Sequence, residues 1–343
     1  MIRGFSLTAV VPATNDPSAL ARCRDAIDAA VSPPEQTVVV TGPSAYGPAA
    51  ARNAGSRVAT GDVLVFVDAD VLVHPDSFAR IRAAFASDPE LTAVFGSYDD
   101  DPEDRGIVSG FRNLLHHHVH QASPGPAGSF WTGLGAVRRD AFWRVGGFDS
   151  ERFEERMEDI EFGSRLSAAG GRIRLDPTLL CTHLKRWTLR DMVHTDIVKR
   201  GVPWTRLVLA QRAAPTALNL GWRHRLSASS TLAAILFALL RRPRRAASSV
   251  GALVTLNMSF YTLLWRRRGA AHAAAGVGLH AVHHVCGVVA LLLGLRAHVT
   301  QRSGDEGRTA RVIELADKRE VARQVVVERP VPDVARTGVA AEL

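Results

Sequence analysis

Lysine is nearly missing from this chain. Lys185, Lys199 and Lys318 are its whole complement, and arginine supplies the rest of the 42 basic side chains. The excess over 34 acidic residues gives a net charge of +8 and a pI near 10.2. That excess gathers around apolar runs near the C-terminus and forms no basic arm or stripe interleaved with aromatics, which argues against nucleic acid and for a membrane surface. Cysteine is equally scarce. Cys23, Cys181 and Cys286 lie far apart with no CxxC or metal spacing, so neither a disulfide framework nor a cysteine zinc site is expected, and a reducing compartment fits. No internal repeat is present. The N-terminal MIRGFSLTAVVPATND has one short apolar run ending in Pro12 with no small-residue cleavage pattern after it, so it is read as a first strand and not as a signal peptide.

What the chain does have is apolar substance. With 343 residues and 46% hydrophobic content, it holds one large or two ordinary domains with a sizeable core. The stretch GDVLVFVDADVLVHP, Gly61 to Pro75, organises the rest. Val63 to Val67 run without polar interruption between Gly-Asp and His-Pro, as in a strand buried on both faces of a parallel sheet. Asp68 and Asp70 follow at its carboxyl end, where open α/β sheets place their ligands. Two carboxylates so spaced suit one hard divalent cation whose shell substrate phosphates complete. The same pair could also cap a helix or lie solvated in a loop.

Around that strand the pattern alternates. Ser6–Val11 reads as strand, Pro17–Val31 as helix with Leu20, Cys23, Ile27 and Val31 on one stripe, Gln36–Val40 as strand and Ala49–Ala59 as helix. This β-α-β-α-β order implies a parallel sheet with right-handed crossovers. Pro75–Ala86 is expected as helix, Leu91–Tyr98 as strand and Asp99–Arg105 as an acidic surface loop. In Phe111–His120, the HHHVH run points its histidines in different directions on a helix, so a half-exposed polar face is expected and not a ligand cluster. Gly133 and Gly135 flank a bend where backbone and ligand can approach closely. Glu158 and Asp159 open a helix that ends at Gly170-Gly171, where a carboxylate gains from the helix dipole or caps the helix. Arg172–Leu175 and Thr178–Cys181 read as two short strands, and Thr188–Arg200 as a helix.

Beyond residue 226 come three apolar segments, Leu226–Leu240, Ala246–Trp265 and Gly276–Leu295, separated by RRPRR and RRRG. The second and third reach the ~20 residues that cross a bilayer, and the first is short. Arginine blocks at the segment edges favour membrane association and mark both loops as cytoplasmic-side, which consecutive loops cannot both be if every segment spans. One segment is therefore expected to lie in the interface or to form a short hairpin arm, and Leu226–Leu240 is the candidate because of its length. The divisions expected are residues 1–215 as an α/β domain, 216–300 as membrane-associated helices, and 301–343 as a polar tail with a surface helix.

AVVPATND, GPAAARNAGSRVATGDVLVFVDAD, GLGAVRRDAFWRVGGFD and MEDIEFGSRLSAAGG stand here in the order and at the separations of the family 2 glycosyltransferases, and residues 5 to 200 resemble those enzymes. The resemblance implies a GT-A fold, Rossmann-like, with a mostly parallel sheet and helices on both faces, here followed by C-terminal hydrophobic helices. It implies an inverting transferase that uses a nucleotide-sugar donor (UDP-, GDP- or dTDP-linked) with Mg²⁺ or Mn²⁺. Carried over residue by residue, Asp68 and Asp70 correspond to the metal-diphosphate motif, His183 completes the metal or diphosphate site, and Asp159 is the catalytic base. Gly133 and Gly135 correspond to the glycine loop beside the donor sugar, Arg52 and Asn53 to the element behind the donor pocket, and Glu158 to the acidic neighbour of the base. Pro12, Asn15 and Asp16 match the loop after strand one, and Arg186-Trp187 resembles the RW of processive synthases whose Gln is replaced here, so one sugar per acceptor is expected.

The text VVVTGPS also departs from relatives that carry aspartates after strand two, which leaves the nucleobase unassigned. The acceptor is unassigned too, with a lipid-linked or amphiphilic hydroxyl in view, and the domain is expected at the cell membrane facing the cytoplasm. The rival enzyme reading is a haloacid-dehalogenase-type phosphatase, whose nucleophile motif VLVFVDADVLV also resembles, but the motif here follows two βα units and lysines are few. A non-catalytic membrane scaffold with a degenerate transferase domain is the rival outside enzymes.

Overall fold

A computed structural model of the chain describes residues 5–14, 17–42, 47–151, 157–211, 221–302 and 325–328. Asn15, Asp16 and most of the polar tail, with its expected surface helix, lie outside the described residues.

Three apolar runs build the centre: β1 (Leu7–Pro12), β2 (Gln36–Val40) and β3 (Val63–Val67), every residue of which is buried. Such continuous runs fit strands covered on both faces. β1 pairs in parallel with both neighbours, Thr8 opposite Gln36 and Leu64. The helices between them are α1 (Pro17–Asp28) and α2 (Gly47–Val58). Cys23 and Ile27 of α1 face the core as the spacing predicts, but the helix stops at Asp28 and Val31, expected on the same stripe, is 77% exposed. The chain continues through β4 (Val71–Val73), α3 (Ser77–Ser87), β5 (Leu91–Tyr98), α4 (Ile107–Gln121), β6 (Gly125–Ala127), β7 (Leu134–Arg138), α5 (Arg139–Arg144), α6 (Glu158–Ala168) and β8 (Arg172–His183). The two short strands expected after α6 are one strand, since β8 runs unbroken through Pro177.

The sheet is mixed, in the order β4-β8-β5-β7-β3-β1-β2-β9, with β6 beside β8 and β9 (Val325–Glu328) antiparallel to β2. Its two parallel blocks, β3-β1-β2 and β5-β8, are joined by β7, which is antiparallel to both β3 and β5. All three carboxyl ends of β1, β3 and β5 therefore open toward one edge. One apolar core lies under α1 and α3 (Cys23, Ile27, Phe78, Phe85). The other, under α2, α5 and α6, is built from Phe66, Phe130, Phe142, Phe148 and Phe162.

After β8, α7 (Leu189–His194) starts at a Thr188 capping box and passes through a wide π-helical turn, Thr195–Gly201, into α8 (Val202–Gln211). The expected domain boundary near residue 215 falls in the undescribed 212–220. Four helices follow: α9 (Trp222–Leu239), α10 (Pro243–Leu256), α11 (Met258–Arg268) and α12 (Ala270–Arg302). The expected apolar segment Ala246–Trp265 is not one helix, because it breaks at Asn257 with a 72° bend between α10 and α11. Among the described residues α12 alone is a single helix long and apolar enough to cross a membrane. These helices pack on α4 through Phe111, Leu114, Leu115, Phe260, Tyr261 and Leu264.

β5 and β8 approach so closely that Gly96 has no room for a side chain. A Cβ there would lie 2.0 Å from the carbonyl oxygen of Leu179 and 2.9 Å from its carbon, both backbone atoms that cannot rotate away. Gly96→Ala is expected to destabilise the chain by about 3 kcal/mol, read as a lower urea midpoint. An unchanged midpoint would mean that the strands separate there at little cost.

Candidate active site

The carboxyl end of β3 delivers Asp68 to a turn in which its N–H donates to Gly133 O at 3.3 Å and its carbonyl accepts from Val71 N–H at 3.0 Å. The turn leads into β4, which pairs Val71 with His183, the last residue of β8. The metal residues expected from the sequence thus meet: His183 Nε2 stands 3.4 Å from Asp70 Oδ2. His183 is buried, its Nδ1 lies 2.6 Å from Asn113 Oδ1 on α4, and its ring stacks on Tyr98 at 4.3 Å. Asn113 fixes which ring nitrogen faces Asp70, in the way outer partners orient metal-binding histidines. Burial alone would raise the Asp70 carboxyl, but the His183 hydrogen bond and the charges of His183 and Lys185 outweigh it and hold it below its ordinary value. The donor set of two partly exposed carboxylates and one oriented imidazole suits a divalent cation.

Arg52, on α2, is buried and forks between two carboxylates. Its Nη2 donates to Asp68 Oδ1 at 2.6 Å and its Nη1 to Glu158 Oε1 at 2.5 Å. Glu158 therefore faces inward, and its second oxygen is buried without a partner. Asn53, next in the helix, donates from Nδ2 to Phe148 O at 2.7 Å and accepts from Phe148 N–H at 3.0 Å, which pins the turn of Gly146 and Gly147. Both residues lie on α2, whose Arg52 side chain reaches the carboxyl end of β3 through Asp68.

Asp159 sits in the first turn of α6. The residue before that helix, Met157, adopts φ 82°, a left-handed conformation uncommon outside glycine and frequent at functional sites. The Asp159 side chain keeps some access to solvent but is ringed by protein. Burial pushes its carboxyl up to about 7, and repulsion from Glu158 adds to this, while Arg52, Arg200 and the Ile160 N–H oppose it. α6 reaches this position because Gly163 lets it touch the preceding loop, where a Cβ would lie 2.2 Å from Phe130 N.

Pro12 is buried at the end of β1 opposite Val40. Gly133 and Gly135 make close approaches as expected, though to the chain itself: a Cβ on Gly133 would strike the Trp131 ring at 2.1 Å, and one on Gly135 the Trp131 carbonyl at 2.2 Å. Trp187 is buried, with Lys185 Nζ 4.6 Å from its ring centre and an indole N–H that has no partner. Arg186 is exposed and faces Asp104 at 3.9 Å.

The sequence reading did not single out Trp131, Lys185 or Arg200. Trp131 packs against Tyr98, His116 and His120, forming an aromatic wall between the metal-side residues and α4. Its signal in the sequence was its place two residues before Gly133. The α4 histidines do not form a ligand cluster: His117 Nδ1 meets Tyr98 O at 2.7 Å and His120 Nδ1 meets Gly96 O at 2.9 Å. Burial pushes His120 down to about 4 and His116 well below its ordinary value.

Residues 9–146 match the profile of Glycosyl transferase family 2. That stretch of the chain is similar to the family 2 glycosyltransferases. It is 31% identical over 157 residues to the pre-mycofactocin glycosyltransferase of Mycobacterium tuberculosis, a match covering 44% of this chain and 33% of that protein. It is 30% identical over 158 residues to validoxylamine A glucosyltransferase of Streptomyces hygroscopicus, covering 36% of each. The chain thus spans about a third of the length of the curated relatives it matches. In fold it is similar to the mannosyltransferase PcManGT of Pyrobaculum calidifontis, with a TM-score of 0.50 and 18% identity over 88% of this chain and 89% of that one.

The transferase domain's raised carboxyl has a signature in stability. Asp159 is held near 7 in the folded chain against an ordinary 3.8, so between those values the folded state keeps a proton that the unfolded state has lost. Its contribution to stability then declines as pH rises from about 4 through about 7. In metal-free buffer, the difference in melting temperature between wild type and Asp159→Asn should move against the wild type from about pH 5 to about pH 8. A difference that stays constant over that range would exclude the raised value.

Proposed function

We propose that this chain transfers a sugar from a nucleotide-sugar donor to an acceptor hydroxyl by a metal-dependent, inverting single displacement. The observation that supports the reading is the bonding of Arg52 to Asp68, two residues before Asp70, on one side and to Glu158, the neighbour of Asp159, on the other. Asp68, Asp70 and His183 would hold Mg²⁺ or Mn²⁺, which would supply positive charge to the leaving diphosphate. The archaeal mannosyltransferase of similar fold was seen with GDP-Man and Mn²⁺, which agrees with this donor class.

The chain's own residues do the rest. Asp159, poised near 7, accepts the acceptor hydroxyl proton as the new bond from that oxygen to the anomeric carbon forms. The bond from the anomeric carbon to the diphosphate breaks on the opposite face, so configuration inverts. Arg52 aligns Asp68, Lys185 adds positive charge beside Asp70, and Trp131 packs on Tyr98 beside the site. A phosphatase using Asp68 as nucleophile fits less well, because that oxygen is committed to Arg52 at 2.6 Å.

Two substitutions separate the roles. Asp70→Asn should abolish Mn²⁺-dependent binding of nucleoside diphosphate, read by calorimetry or by thermal shift across UDP-, GDP- and dTDP-sugars. Asp159→Asn should retain donor binding while turnover falls by a factor on the order of 10² to 10⁴. Wild-type donor affinity in Asp70→Asn, or full activity in Asp159→Asn, would falsify the respective assignment.

The helical region supports a membrane-facing acceptor site, with a lipid-linked or amphiphilic acceptor and the transferase domain on the cytoplasmic side. α12 provides 30 residues of spanning length with only 28% of its apolar window buried by the rest of the chain. Leu232, Ile235, Leu236 and Leu239 of α9 and Leu291, Leu292 and Leu293 of α12 are exposed, and apolar surface of that extent marks a membrane or partner contact. Full-length protein is expected to need detergent for extraction. Recovery in the supernatant after carbonate washing and ultracentrifugation would show the helices to be packed without lipid.

A further inference from the structure

α12 carries a histidine-rich face that the transferase reaction does not use. His280 and His284 lie one turn apart on it and are both 2% exposed, and His224 reaches the same point from the first turn of α9. One ring nitrogen from each of the three lies within 4.8 Å of the other two. We propose that His224, His280 and His284 form a binding site for a borderline divalent transition ion of the Zn²⁺ type, which clamps α9 to α12.

The surroundings of the three rings are those of a ligand set. His280 Nδ1 lies 3.0 Å from the Tyr261 hydroxyl and His284 Nδ1 lies 2.9 Å from Thr231 Oγ1. Thr231 gives its own proton to Ser227 O at 3.3 Å, so it accepts from His284 Nδ1–H and leaves Nε2 of that ring as the lone-pair nitrogen. Ser227 Oγ is a long 3.4 Å from that Nε2 and is itself held by Asn257 Nδ2 at 2.7 Å. A hydroxyl partner on the far nitrogen of each inner histidine is the arrangement that fixes tautomer and ring orientation in metal-binding histidines. Three neutral imidazoles select Zn²⁺ and its neighbours Co²⁺, Ni²⁺ and Cu²⁺ over the oxygen-seeking Mg²⁺ and Mn²⁺ of the donor site. Tetrahedral coordination at Zn–N distances of about 2.0–2.1 Å puts ligand nitrogens about 3.3 Å apart. The observed separations, within 4.8 Å of one another, exceed that distance, so ion binding would draw the three rings together, the half-buried His224 being the one of the three with room at the surface.

The fourth nearby histidine has another task. His283 Nδ1 is 2.7 Å from Asp196 Oδ2, and Asp196 also pairs with Arg112 of α4 at 2.7 Å. His283 therefore ties α12 to the transferase domain and is not a ligand. The proposed ion sits beside that strut and holds the first helix of the region against the one that bears it.

The test uses untagged full-length protein in detergent, in an Asp70→Asn background so that the donor site does not contribute. The expected result is about one Zn²⁺ retained per chain after desalting, and replacement by Co²⁺ giving the intense visible bands of four-coordinate cobalt. His280→Gln, His284→Gln and His224→Gln should each weaken Zn²⁺ binding at least tenfold, while His283→Gln should leave it unchanged. Failure of the parent protein to retain Zn²⁺, a weak six-coordinate cobalt spectrum, or unaltered binding in the His224→Gln protein overturns the site. The parent spectrum decides the matter even where a substitution of a buried histidine prevents folding, and none of these outcomes depends on the sugar-transfer reading.

Discussion

One buried guanidinium sets the geometry on which the rest of the site depends. Arg52 joins the end of β3, through Asp68, to the start of α6, through Glu158, and so fixes the distance between the carboxyl end of that strand and the first turn that carries Asp159. Arg52 pairs with both Asp68 and Glu158, and Asp159 stands within reach of the same cation. A single positive charge cannot satisfy three carboxylates in a low-dielectric interior. Asp159 has no direct bond to Arg52, and burial first and repulsion from Glu158 second hold its proton more tightly, against the opposing charges of Arg52 and Arg200.

That charge arrangement is held in place by apolar packing at a distance. Phe66 on β3 contacts Phe130, Phe142 and Phe148, and Phe162 of α6 contacts Phe130, Phe142 and Phe148. The rings lock α6 to the strand that carries Asp68. Gly163 removes the last atom that would hold the helix away. Asn53, by bonding both backbone groups of Phe148, ties the same cluster back to the helix that bears Arg52. The ion pairs and the aromatic core thus constrain the same two elements from opposite ends.

How much of this was legible in the sequence follows from the range of each interaction. The strands of the first 70 residues were plain because a strand buried on both faces writes its environment into consecutive residues. Asp68 and Asp70 at the end of β3 followed from the strand itself, and their meeting with His183 followed from resemblance and holds in the β4–β8 register. What could not be read were contacts between distant segments: the Arg52 fork, Asn113 behind His183, and Trp131 in the space that Gly133 leaves. Local pattern also misled in three places. Val31 fits a helical stripe but follows the helix end, Pro177 looks like a break within what is one strand, and Asn257 looks like a minor interruption in an apolar run that bends by 72°.

The arginine blocks, which by sequence pointed both flanking loops to one side, are resolved by what they touch. Arg267 pairs with Asp100, and Arg268 pairs with Asp101 and bonds the Pro102 carbonyl, so two of the three arginines of RRRG are engaged by the acidic loop between β5 and α4. Their charge is spent on the transferase domain and says nothing independent about a bilayer, except that this end of α11 must lie on the domain's side. Arg241, Arg242, Arg244 and Arg245 remain exposed at the turn between α9 and α10. Those two helices pack side by side, with Arg223 of α9 bonded to Ser259 just past the end of α10 at 3.0 Å. A chain that goes out along α9, returns along α10 and bends at Asn257 need not cross anything before α12. On the membrane reading proposed above, α9 and α10 then form a hairpin in the interface with its cationic turn among anionic headgroups, and both arginine blocks lie on the transferase side without contradiction. The short segment alone did not have to carry that role, because the break at Asn257 frees its partner to share it.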